Sequence, residues 1–123
     1  MLISISPTQT RNFWSRLTQM KAVKVSIIEW ASDDYPGFVR CELIDAWQQK
    51  WYFIEKVPVM TTNDLWNDSR YPQPGKIACV VISRQRDSQG REVFTVDTSK
   101  PCGVESQEGI SQFDVLADQL EET

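Results

Sequence analysis

The chain has no histidine, only three cysteines and no apolar run long enough to cross a membrane. Each absence excludes a class of function. Without histidine there is no ordinary base for a cysteine or serine nucleophile and no zinc site of the Cys/His type. Cys41, Cys79 and Cys102 are odd in number, widely spaced and without a C-x-x-C pair. They do not make a disulfide framework, and they read as reduced thiols of a cytoplasmic protein. A membrane helix needs ~18 or more apolar residues, and no stretch approaches that. The N-terminal segment is interrupted by Pro7, Arg11 and Arg16 and lacks the charged start and apolar run of a signal peptide. No phosphate-binding glycine loop, G-x-G-x-x-G or metal-ligand run occurs, so neither a cofactor nor a metal is expected. Basic residues are the minority, 13 against 17 acids, for a net charge of −4. That balance argues against nucleic acid as the partner and fits either simple solubility or a basic protein partner.

What the chain does have is aromatic residues and strand patterning. Five Trp, five Phe and three Tyr in 123 residues supply a thick core or a contact surface. A single domain of this length buries roughly two thirds of its unfolded surface and needs no staples. Residues 7–20 read as a short helix: Ser6 caps it, Pro7 suits its first position, and Phe13, Trp14, Leu17 and Met20 share one face. Met20 would also serve as a start, which makes residues 1–19 a helical appendage to a β domain over 20–123.

From Lys21 the period becomes two, with Val23, Val25 and Ile27 alternating with Lys24 and Ser26. Asp33-Asp34-Tyr35-Pro36-Gly37 is a turn, and strands follow over Phe38–Ile44 and Trp51–Val57. Pro58 demotes what comes after it to a sheet edge. Residues 59–75 are irregular, with Thr61 or Thr62 and Asp64 suited to capping a helical turn through Trp66. Further strands are expected over Lys76–Arg84 and Arg91–Thr98, joined by the Asp87–Gly90 hairpin loop. A short strand at Cys102–Ser106 and a strand or short helix at Gln112–Leu120 complete the reading. PGFVRCELI (36–44) and PGKIACVVI (74–82) match in kind, so two similar hairpins placing Cys41 and Cys79 in one interior are expected. The fold class is mainly β: a small antiparallel barrel or strongly curled sheet of five to seven strands, with the short N-terminal helix.

Candidate chemistry is thin. Cys41 and Cys79 sit in apolar strands, which raises a thiol pKa. Cys102 is the only candidate for an exposed thiol. Glu42, Asp45, Glu55, Asp97 and Glu105 lie on or beside strands, and Glu55 with Asp97 is the one pair considered for acid–base work. Most such residues simply face water. The stronger signal is tryptophan beside carboxylates in loops: Trp30 with Asp33 and Asp34, Trp66 with Asp64 and Asp68, and Trp47 in a connection. Trp is a frequent hot-spot residue, and acids steer a basic partner. Against this stands the alternative that each Trp folds back to plug an end of the barrel.

The stretches YPGFVRCEL, FIEKVPV, YPQPGKIACVVISR, GREVFTVDT, PCGVES and SQFDVLADQL resemble a group of small uncharacterised bacterial proteins, over residues 20–120. The size and acidity are similar to those of immunity proteins of polymorphic toxin and contact-dependent inhibition systems. That resemblance implies a non-enzymatic protein that blocks a cognate toxin by occlusion; it carries no binding residues with it, and Trp30, Asp33, Asp34, Asp64, Trp66 and Asp68 are expected at the surface facing a basic partner from their own chemistry alone. The alternatives are a small barrel holding an apolar ligand in a mouth lined by Trp51, Phe53, Phe94 and Phe113, and an enzyme using Glu55 with Asp97. Pairing of a second copy along the edge near Pro58 stays open.

Overall fold

The computed structural model describes residues 20–122. The helix expected over 7–20, and the separation of residues 1–19 from the rest, lie outside them. The described residues form seven strands: β1 (Met20–Ser32), β2 (Phe38–Ile44), β3 (Lys50–Lys56), β4 (Gln73–Arg86), β5 (Glu92–Asp97), β6 (Gln112–Leu116) and β7 (Leu120–Glu122). One helical turn, α1 (Val57–Met60), follows β3, and a 3₁₀ turn (Ala117–Gln119) joins β6 to β7.

The alternation in β1 is the reason it becomes a strand. Val23, Val25 and Ile27 go inside while Lys24 stays in water. At 13 residues, β1 is long enough to serve three neighbours. β4 pairs along Met20–Ile27 on one edge. On the other edge β7 pairs with Lys21–Val23 and β2 with Ser26–Ser32. The sheet order is β3-β2-β1-β4-β5-β6, every pair antiparallel, with β7 added beside β1.

The sheet is strongly curled into a half-barrel. One closure is made by the chain itself, because the 3₁₀ turn after β6 carries β7 back onto β1. A second is a seam between the β3 and β6 sides. The Phe113 ring packs edge-on against Trp51 at 5.3 Å and Phe53 at 5.6 Å. The Ala46 amide donates to the Asp114 carbonyl at 2.8 Å, and the Gln107 amide to the Tyr52 carbonyl at 2.8 Å. The Gln119 side-chain amide reaches the Ile44 carbonyl at 2.7 Å. Inside lies a continuous core that includes Ile27, Val39, Phe53, Ile77, Val96 and Val115.

The two hairpins anticipated from the sequence form as β2–β3 and β4–β5 and flank β1 on opposite sides. Cys41 and Cys79 are both fully buried. Several expectations are corrected. Val57–Met60 is a helical turn with Pro58 near its start, not a sheet edge, because proline suits the first helical turn as well as a strand end. β3, which ends beside this turn, is itself a terminal strand of the sheet. The helical turn expected through Trp66 does not form. The 61–66 backbone is irregular, and Thr61 Oγ1 accepts the Asn63 amide instead. Cys102–Ser106 is not a strand: Cys102 ends a turn and the residues after it are irregular, with the amides of Gly103 and Val104 donating to the carbonyls of Ser99 and Thr98.

Candidate protein-binding surface

Four tryptophans lie in the described residues, and three have their indole N–H committed to an aspartate of this same chain. Trp30 donates to Asp33 Oδ1 at 2.7 Å, Trp47 to Asp114 Oδ2 at 3.0 Å and Trp51 to Asp45 Oδ2 at 2.9 Å. Indole is a donor only, and a carboxylate is a strong acceptor, so each pair fixes a ring. Trp30 is half-buried against the core. Its ring lies over Gly37, where a Cβ would stand 2.5 Å from Cη2. Gly37 also has φ +98°, so only glycine suits this turn.

Trp66 differs. It is 63% exposed, and its indole N–H has no hydrogen-bond partner among the described residues. Its backbone, by contrast, is pinned. The Ser69 hydroxyl accepts the Trp66 amide at 2.9 Å, and the Tyr71 hydroxyl donates to the Trp66 carbonyl at 2.6 Å. Burial, with Asp68 nearby, holds the Tyr71 phenol above its ordinary pKa against the opposing bond to Ser69, so it remains a donor. Leu65, next to Trp66, is 5% exposed and anchors the loop in the core. The fold therefore holds a rigid platform and leaves the indole in water.

The loop carrying Trp66 and the β1–β2 turn meet. Pro36, Val57, Pro58, Leu65 and Trp66 line one depression of about 460 Å³, with Thr61–Asp64 along its rim. Next to Pro36 stands Tyr35, 95% exposed. Asp33, Asp34, Asp64 and Asp68 are all exposed, and of the four Asp64 lines the depression. Of the six side chains singled out in the sequence, Trp30 lies near the end of β1, Asp33 and Asp34 lie in the turn after it, and Asp64, Trp66 and Asp68 lie in the second loop; the two segments meet at the groove through Pro36. Five of them face solvent, and Trp30 serves as the half-buried brace of the turn. Tyr35 was not singled out.

The other candidates are placed elsewhere. Burial first, and then Glu55, pushes the Cys41 thiol up to about 12. Burial first, and then Asp97, pushes Cys79 up to about 11. Neither is a thiolate near neutrality. Glu55 accepts the Lys56 amide, whereas Asp97 accepts the Ser99 hydroxyl and amide. No hydrogen bond joins the two carboxylates among the described residues. Glu42 accepts the Tyr52 hydroxyl, and Asp45 is buried at the β2–β3 turn. Trp51, Phe53 and Phe113 pack on one another and fill the interior, while Phe94 lines a separate surface slot. The four do not make one ligand mouth. No cluster of three metal-ligating side chains occurs among the described residues, and no described helix is long and apolar enough to cross a membrane.

Compared with known proteins, the chain matches no family model, no curated protein and no solved structure.

Proposed function

We propose that this protein is a non-enzymatic protein-binding module, of the immunity type, that neutralises a basic toxin domain by covering it. The observation that carries this reading is Trp66: the one described tryptophan whose indole the fold does not use, held on a pinned backbone at the rim of an apolar groove. A Trp side chain presents about 200 Å². Covering the exposed part is worth about 3 kcal/mol at ~25 cal/mol/Å². Tyr35 adds a second exposed aromatic with a polar tip. Hot spots of this kind dominate binding energy, and the exposed aspartates Asp33, Asp34, Asp64 and Asp68 of the same two segments would steer a basic surface toward them. Occlusion needs shape and charge and no chemistry.

The test is capture from the cells of origin with tagged protein at low salt, followed by mass spectrometry. The reading expects one stoichiometric basic protein that is released as salt rises, since exposed ion pairs are screened. A chain that elutes alone, or a bound protein indifferent to salt, counts against it.

A further inference from the structure

Arg40 on β2 shows how this fold holds an arginine at its surface. The guanidinium lies over the Tyr52 ring, 4.3 Å from its centroid, and the Glu29 carboxylate stands 3.4 Å from Nη1. An aromatic face and a carboxylate thus share one cation. The ring quadrupole attracts the charge, and a stacked guanidinium keeps N–H donors for the acid. The Trp66 groove presents the same two halves. Trp66 is 63% exposed, and among the described residues no guanidinium or ammonium stands over its ring. Nine residues line the depression, and a single one, Asp64, is charged. Asp64 is exposed and belongs to no ion pair among the described residues.

We propose that this groove receives an arginine side chain of the protein partner, its guanidinium stacked on the Trp66 indole and bonded to Asp64. The inference rests on the reading of the groove as the partner-binding surface, and it names the side chain that enters. Three observations point to arginine. The one charge in the lining is negative, which favours a cation. The remainder includes Pro36, Val57, Pro58 and Leu65, apolar surface on which the stem of a long cationic side chain packs while its head seeks charge. The exposed ring is indole, which attracts a cation more strongly than phenol or benzene. Lysine suits the place less well. An ammonium is a strongly hydrated point charge, whereas a guanidinium sheds water readily, lies flat on a ring and offers a carboxylate two parallel donors. The Trp66 indole N–H, with no acceptor among the described residues, remains for a backbone carbonyl beside that arginine.

The test is an NMR titration of the isotope-labelled full chain at fixed ionic strength. The probes are acetyl-Gly-Arg-Gly-amide and its lysine counterpart, and the readout is the indole N–H signals. The Trp66 signal is assigned by its loss in Trp66→Leu. The proposal expects the arginine peptide to shift that signal saturably and to bind roughly three- to fivefold tighter than the lysine peptide, with the Trp47 and Trp51 signals unmoved. Asp64→Asn is expected to weaken the arginine peptide by roughly threefold. No hydrogen bond of the fold uses the Asp64 carboxylate among the described residues, so unchanged amide signals elsewhere should show the variant folded. Equal binding of the two peptides would show charge attraction alone, and a silent Trp66 would show that the groove takes no cation. Unchanged binding by Asp64→Asn would remove the carboxylate. Each of these results overturns the proposal. The two readings fail separately, because the titration uses the free chain. A captured basic protein that shifts Trp66 where the arginine peptide does not would leave the protein-binding reading standing and strike out the arginine.

Discussion

The carboxylate of Asp45 accepts three hydrogen bonds although the residue is only 6% exposed. Oδ1 takes the amides of Trp47 and Gln49, and Oδ2 takes the indole of Trp51, all at 2.9 Å. Replacing it with alanine strands a half-buried indole N–H and two turn amides. Asp45→Ala is expected to lose about 3 kcal/mol in urea unfolding, since an orphaned buried donor costs ~1–3 kcal/mol; a change below ~0.5 kcal/mol would remove Asp45 from this role. The cysteines give a pH dependence. Their folded pKa values, about 12 for Cys41 and about 11 for Cys79, stand above the ordinary value of 9.0. The stability that burial of the neutral thiols represents is therefore complete below pH 9 and is lost as pH rises through 9 toward 11 and 12, where the unfolded chain ionises first. A Cys41→Ala/Cys79→Ala variant is expected to show a shallower alkaline decline than the native chain, and parallel declines would contradict the assignment. At this scale the sequence was legible for the thiols, because apolar neighbours in a strand imply burial. It was only half legible for the tryptophans. Trp30, near the end of β1, and Asp33, in the turn after it, stand three apart and bind each other. The partner of Trp47 is 67 residues away, a distance no local pattern encodes. Tyr35 was missed because proximity to turn residues says nothing about which way a ring points.

The elements follow from period two wherever one face is buried. β2 spans the residues that alternation marks, Phe38–Ile44, and β3 is displaced by a single residue from the expected Trp51–Val57. Expectation failed where a residue type serves two structures equally. Pro58 fits a strand end and a helix start, and the pinned fold of 57–60 is decided by the Val57 amide, which donates to the Gly37 carbonyl at 2.9 Å. The end of the chain was readable as strand or helix and is both in turn, β6, a 3₁₀ turn and β7. The seam between β3 and β6 was not readable, since it rests on side chains and isolated backbone bonds between distant residues rather than on a ladder. Phe113 is its centre at 3% exposure. Phe113→Ala is expected to cost about 3–5 kcal/mol and also to speed exchange of the Ala46 and Gln107 amides, which cross the seam. Destabilisation without that local change would mean the ring fills space and closes nothing.

Across the whole molecule, structural and binding demands separate cleanly. Three indoles are hydrogen-bonded within the fold, the core phenylalanines and two thiols are buried, and among the described residues Tyr35 and Trp66 are the most exposed aromatic side chains, on a chain of net charge −4. Side chains that the fold does not use can be removed without unfolding it, so stability and affinity should respond independently. The decisive measurement is a side-by-side titration of the captured partner with the native chain, a Tyr35→Ala/Trp66→Ala variant and an Ile110→Ala control, each checked by urea unfolding. All three are expected to unfold within about 0.5 kcal/mol of one another, as surface changes do, while the double variant loses at least ~2 kcal/mol of binding energy, roughly thirtyfold in affinity. Equal affinity for the native chain and the double variant, with both folded, would contradict the account and move the binding surface elsewhere on the sheet.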